Sequence, residues 1–224
     1  MKKKLLFAAI ILLGLTSCIE KNRPTASGTS NQSDIVVETD TETIKEVYAI
    51  STSLDGVVIN GVRWATRNVN TPGTFAQNPE DAGMFFQWNR KKAWDSTSGE
   101  VENWDNSPAT GTEWEAQNDP CPAGWRLPTE AELHSLRDAG SELASLNGMP
   151  GYLFGVAPYQ LFLPATGWRM HGNGALSGVD EWGFYWSGTE NGTAYAMCLI
   201  FNNDFSFVEI GTRAWGFSVR CVAD

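Results

Sequence analysis

The sequence predicts an α+β domain built of short antiparallel strands, one or two helices and long loops. Two observations carry that reading. Between residues 56 and 222 the chain breaks into short runs of β-branched and aromatic residues, bounded by Gly, Asn or Pro. Between Thr129 and Gly140 it carries the start and stop signals of one helix. Cysteines beside turn residues at 121 and 221 add the expectation of a covalent staple.

In chain order, Lys2, Lys3 and Lys4 precede an apolar run at residues 5–15. Its 11 residues fall short of the roughly 20 that span a bilayer. The run ends in Leu15-Thr16-Ser17-Cys18, small residues directly before a cysteine, which resembles a bacterial lipobox. Residues 1–17 are therefore expected to be a lipoprotein signal peptide. Cys18 is expected to become the acylated, palmitate-carrying first residue of the mature chain. Two or more acyl chains on one residue anchor a protein stably where a single chain does not. The expected location is the cell envelope, on the outer membrane, with the membrane met through the N-terminal lipid. Residues 18–53 read as a flexible tether, rich in Ser, Thr, Asn and Gly as far as Asp34. Weak apolar spots stand at 35–37 and 47–50.

Composition changes at Leu54, and all ten tryptophans follow it; the folded domain is expected at 54–224. Strand-like runs fall at 56–59, 84–88, 161–163, 184–187, 194–201, 206–210 and 216–222. Asn60-Gly61 between Val-Val-Ile and Val-Arg-Trp-Ala fits a tight hairpin turn. Thr129 is the expected helix N-cap, with Glu132 three residues on completing a capping box. Leu133 and Leu136 supply the apolar stripe and Gly140 the stop. A second short helix is expected at 141–147 and a turn of helix at 112–118.

Without its three N-terminal lysines the chain has 13 basic side chains against 26 acidic ones, a net charge of −13. No basic cluster survives, which argues against nucleic acid as a partner. With Cys18 committed to lipid, Cys121, Cys198 and Cys221 remain. Cys198 sits inside an apolar run, where a buried thiol behaves as a small hydrophobe. Cys121 and Cys221 flank turn residues and are the expected pair, closing a loop of 100 residues.

Four segments resemble the Fibrobacter succinogenes major paralogous domain: INGVRWATRNVN at 59–70, DAGMFFQWNRKKAW at 81–94, NDPCPAGWRLPTEAEL at 118–133, and FLPATGWR, YWSGT and GFSVRCV spread over 162–222. The resemblance implies a C-type lectin-like fold, in which a cysteine before the helix bridges to one in the last strand. It also implies a ligand-bearing loop between the middle strands, matched here by residues 170–183. A non-catalytic module for adhesion or glycan recognition is the expected function, with glycan or an envelope protein as partner. The alternatives are a structural or assembly subunit without a small ligand, and a diverged oxidase of the formylglycine-generating type.

Within 170–183, Trp182 offers an indole face to a sugar ring, and Asp180 and Glu181 offer acceptors to its hydroxyls. His171 joins them as a loop residue. Trp94, Trp104, Trp114 and Trp182 lie in polar or Gly-rich contexts and are expected to be exposed. Trp64, Trp88, Trp125, Trp168, Trp186 and Trp215 are expected to pack in the core. Arg126 and Arg169, each after Gly-Trp, read as scaffold. The oxidase reading needs a reactive cysteine pair near the C-terminus, and only Cys221 lies there. The two histidines, His134 and His171, are far apart, with His134 on the polar face of the helix. Calcium would draw on Asp180 and Glu181, but the loop motifs of calcium-dependent lectins are missing and Asn202-Asn203-Asp204 reads as a turn. No cofactor and no catalytic residue is expected.

Overall fold

The computed structural model describes Lys45–Glu46 and residues 56–224. The signal peptide, Cys18 and the apolar spots at 35–37 and 47–50 lie outside the described residues. The strands are β1 Lys45–Glu46, β2 Val57–Ile59, β3 Val62–Trp64, β4 Phe85–Gln87, β5 Ala93–Trp94, β6 Trp125–Arg126, β7 Ser141–Leu146, β8 Met149–Val156, β9 Tyr159–Pro164, β10 Trp168–Arg169, β11 Leu176–Ser177, β12 Gly183–Asn191, β13 Tyr195–Phe201, β14 Ser206–Thr212, β15 Gly216–Phe217 and β16 Val222–Ala223. The helix α1 is Glu130–Asp138, and a 3-10 turn covers Ala116–Asn118 in the segment expected to form a turn of helix.

The architecture corrects the α+β expectation. Among the described residues it is β-rich, 40% strand and 7% helical, with one α-helix. Much of the difference lies at 141–147, expected to be a second helix and found as β7. Asn147 and Gly148 take left-handed φ values of 50° and 86°, the geometry of a two-residue hairpin turn. They fold β7 onto β8, from Leu146 opposite Met149 to Ser141 opposite Phe154. Ala144 and Leu146 then fall on one buried face, the period of a strand.

Among the described residues, four sheets assemble in the orders β1-β7-β8-β9, β11-β10-β15-β4-β5, β12-β13-β14 and β2-β3-β16-β6. All named strand pairs are antiparallel except β1 on β7. The sheet β12-β13-β14 divides the interior. Tyr185, Leu199 and Phe201 point into one core with Leu133 and Leu136 of α1, Tyr152, Phe154 and Trp64. Phe184, Trp186, Cys198 and Ile200 point into the other with Phe86, Trp88, Phe217 and Val219. A strand buried on both faces needs apolar residues at every position, which is why 184–186 and 196–201 read as unbroken hydrophobic runs.

Local expectations hold at α1. Thr129 Oγ1 accepts from Glu132 N at 3.2 Å, and Glu132 Oε2 accepts from Thr129 N at 2.7 Å. Gly140 follows the last turn at φ +91°. Burying Leu133 and Leu136 stabilises the helix by about 1.5–3 kcal/mol each. Asn60-Gly61 turns β2 into β3 with both φ positive.

The run at 216–222 is not one strand. It divides into β15 and β16 in two different sheets, joined by a buried stretch in which Arg220 donates to Asn68 Oδ1 at 2.7 Å and to the Ala65 and Phe162 carbonyls at 3.2 Å. Cys121 and Cys221 form a disulfide with Cα atoms 6.0 Å apart. Cys198 is a buried free thiol whose pKa is pushed up by desolvation and by Glu209.

Candidate functional site

The 170–183 segment is a folded hairpin with a turn, not an open loop. β10 pairs with β11, Trp168 opposite Ser177 and Arg169 opposite Leu176. Arg169 is fully buried and holds the hairpin to the 95–99 loop. Its guanidinium donates to Gly174 O at 2.6 Å, Asp95 O at 2.7 Å, Thr97 O at 2.9 Å and Asp95 Oδ1 at 2.9 Å. Burial lowers the Arg169 pKa, opposed by Asp95. The Asp95 carboxyl is held below its ordinary range by the Thr97 hydroxyl and amide and, less, by Arg169. Arg169 is thus scaffold, as expected. Arg126 is too, gripping Glu132 at 2.7 and 2.9 Å.

Asp180 stands in the turn after β11 at φ +66°. It lines an open cleft of about 750 Å³ together with Glu80, Asp81, Asn70, Gln77 and Asn147. Asn147 Nδ2 donates to Glu80 Oε1 at 2.6 Å, tying the β7–β8 turn to the 78–83 segment. Asn68, buried under that segment, donates to the Ala82 carbonyl at 3.0 Å. The cleft therefore gathers three carboxylates and three side-chain amides on a backbone fixed from below.

The four expected ligand residues do not converge. Asp180 enters the cleft, whereas Glu181 is exposed and shares only the turn, its amide donating to Gly178 O. Trp182 is half-buried, stacked on Phe184 at 5.9 Å and edge-on to Phe205 at 6.0 Å. His171 is pinned elsewhere. Its Nδ1 accepts from Trp215 Nε1 at 2.9 Å and its carbonyl from Trp104 Nε1 at 2.8 Å. Ring contacts run from Trp182 through Phe184, Phe217 and Trp215 to His171. Trp168 joins them at Phe184, lying so close over Gly178 that a Cβ there would sit 2.2 Å from its ring.

The expectation that Trp94, Trp104, Trp114 and Trp182 are exposed is also corrected. Trp94 is buried and the other three are half-buried. Trp94 packs on Trp104 at 4.9 Å under the Lys92 ammonium, and Trp114 lies edge-on to Trp88. Of the six tryptophans assigned to the core, Trp64, Trp88 and Trp186 are fully buried, while Trp125, Trp168 and Trp215 are half-buried at its rim. Large rings in Gly-rich loops cover the second core, which the β-strands alone leave open.

Glu80, Asp81 and Asn147 do not stand out as site residues in the sequence, because they come from segments far apart; only the Asn147-Gly148 turn signal points toward any of them. Among the described residues, no three His, Cys, Asp or Glu side chains are grouped to hold a metal ion, the cleft acids included. Asn202 Oδ1 accepts from the Asp204 and Phe205 amides, the turn expected there. A second cleft, of about 590 Å³, is lined by Arg63, Trp125, Arg126, Glu132 and Asp224. Its two best-placed charges, Arg126 and Glu132, are spent on each other and on the helix cap. No helix among the described residues is long and apolar enough to cross a membrane.

A family model described as "Domain of unknown function (DUF8237)" matches residues 157–222. That stretch runs from β9 into the last strand segment and includes the β10–β11 hairpin, Asp180 and the dividing sheet. No curated protein and no solved structure matches the chain.

Proposed function

We propose that this chain is a non-catalytic binding module of the bacterial cell envelope, lipid-anchored through Cys18, that recognises a glycan. The observation that carries the reading is the Asp180 cleft. Carboxylate oxygens and amide groups in one open concavity can accept from and donate to the alternating hydroxyls of a saccharide. The resemblance to the Fibrobacter succinogenes major paralogous domain supports display on the envelope. Cys221 is taken up by its bridge to Cys121, which weighs against the oxidase alternative.

The test is a glycan array probed with the mature chain, then binding constants for Asp180→Asn, Asn147→Ala and Trp182→Ala. Loss of a charged hydrogen-bond acceptor should weaken binding by about 10-fold to 100-fold in Asp180→Asn. Trp182→Ala should change affinity less, because its ring is spent on Phe184 and Phe205. Binding indifferent to Asp180 and Asn147 would refute this site.

A second reading, an assembly subunit, is favoured by one feature. β14 forms the edge of its sheet, with Glu209 and Ile210 exposed on it. Pull-down of an envelope protein that is abolished by Ile210→Lys would support it.

A further inference from the structure

We propose that the turn joining β8 to β9 is a membrane-contact site, seated among the headgroups of the bilayer that carries the chain's own lipid. This inference rests on the reading of Cys18 as the anchor. Val156 and Tyr159 are the two most exposed large hydrophobic side chains among the described residues, at 73% and 65%. They face each other as the terminal pair of the hairpin, so both project from one side of its tip. A branched aliphatic group beside a ring with a polar end suits the boundary between headgroups and acyl chains.

Strand direction brings the anchor to the same end. β7 runs antiparallel to β8 with Ser141 opposite Phe154, so the 156–159 turn lies just past the Ser141 end of the sheet. β1 runs parallel to β7, with Lys45 level with Ala144. The chain therefore enters β1 from the Ser141 end, the end of the tip. Ala144 is level with Gly151, five residues short of Val156, which places Lys45 about 17 Å from the tip along the strands. Cys18 lies 27 residues before Lys45, a length that spans at most about 95 Å. A lipid on Cys18 can therefore share a plane with Val156 and Tyr159.

Two consequences follow. The acid beside the tip, Glu142, accepts from Gln160 Nε2 at 3.1 Å, so the contact fits neutral rather than anionic headgroups. The Asn147-Gly148 turn lies at the opposite end of the same sheet, so a bilayer at the tip leaves the Asp180 cleft facing away from the membrane. A two-residue contact is too weak to recruit a free chain. Tethering makes it intramolecular, at an effective concentration on the order of millimolar.

The test couples the mature chain through its Cys18 thiol to maleimide lipid in phosphatidylcholine vesicles and follows amide hydrogen exchange. The other cysteines do not compete, being bridged or buried. Exchange at 155–160 should slow at least about five-fold on tethering, and exchange at 147–149 should not change. Val156→Ser with Tyr159→Ser should restore the free rate at 155–160; both sites are exposed, and an unchanged melting temperature would verify folding. Equal rates with and without vesicles would overturn the proposal, as would slowing that survives the double variant. Slowing in the untethered chain that grows with protein concentration would assign the tip to a second copy and overturn it as well. Anchoring is read separately, by palmitate incorporation in cells and its loss in Cys18→Ser. Absence of palmitate would overturn the anchor, and with it the bilayer as the tip's natural partner, whatever the vesicles show.

Discussion

Replacing Arg169 by methionine should loosen the β10–β11 hairpin and the 95–99 loop more than it disturbs the cores. The guanidinium makes six hydrogen bonds to five acceptors: Asp95 O and Oδ1, Thr97 O, Gly99 O and Gly174 O. The acceptors at 95–99 lie on exposed residues, where water takes over most of what is lost. Gly174 is buried, so its carbonyl is left without a partner, at a cost of about 1–3 kcal/mol. The charged bonds to the loop add to that loss. Relief from burying a cation subtracts from it, since burial already lowers the Arg169 pKa. The balance is a destabilisation of about 2–4 kcal/mol. With a urea slope of about 2 kcal/mol per molar, the midpoint of tryptophan-monitored unfolding should fall by about 1–2 M. Arg169→Lys should recover little, because an ammonium cannot reproduce the fork. Hydrogen exchange should rise at 95–99 and 173–177 and hold at 196–201. A midpoint shift below about 0.3 M, or a rise spread evenly over the chain, would refute the view that this arginine fastens the hairpin.

Three further outcomes are expected. Replacing Cys121 and Cys221 together by serine removes a loop constraint worth up to about 4.7 kcal/mol in chain entropy; scanning calorimetry should show a melting temperature lower by up to about 15 °C. Asp105 should titrate at about 2 by NMR, held down first by the Ser107 hydroxyl and amide and then by Arg90. Its contribution to stability is complete above the ordinary carboxylate value and is lost as pH falls through about 2, and Ser107→Ala should raise the titration point. The Cys198 thiol, fully buried with its pKa raised, should resist thiol reagents in native buffer and react fully in denaturant.

Some elements are legible in the sequence because short-range chemistry decides them. The Thr129–Glu132 box, the Asn60-Gly61 turn and the stop at Gly140 each rest on a few adjacent residues, and each stands where expected. The Cys121–Cys221 bridge is legible by elimination, since an uninterrupted apolar run around Cys198 leaves that thiol buried. The segment at 141–147 misleads because Ser-Glu-Leu-Ala-Ser-Leu satisfies a helix almost as well as a strand. Its neighbour β8 settles the matter, through pairing across the Asn147-Gly148 turn.

The candidate site shows the other side. Polar sequence context around Trp94, Trp104 and Trp114 suggests exposure, but each indole covers a neighbouring ring and sits half-buried or deeper. Asp180 is legible as a loop acid; its companions Glu80, Asp81 and Asn147 are not, because they reach the cleft from turns and loops tens of residues away.

By itself, then, the sequence determined the helix and its caps, the Asn60-Gly61 turn, the bridge between Cys121 and Cys221 and the apolar strands of the divided core, all set by contacts within a few residues or by exclusion among three cysteines. Only the tertiary structure decided that 141–146 is a strand, that 216–223 passes between two sheets, and that Asp180 and Trp182 part company. Those outcomes depend on long-range pairing and on which ring fills which gap, energies that appear only when distant segments meet.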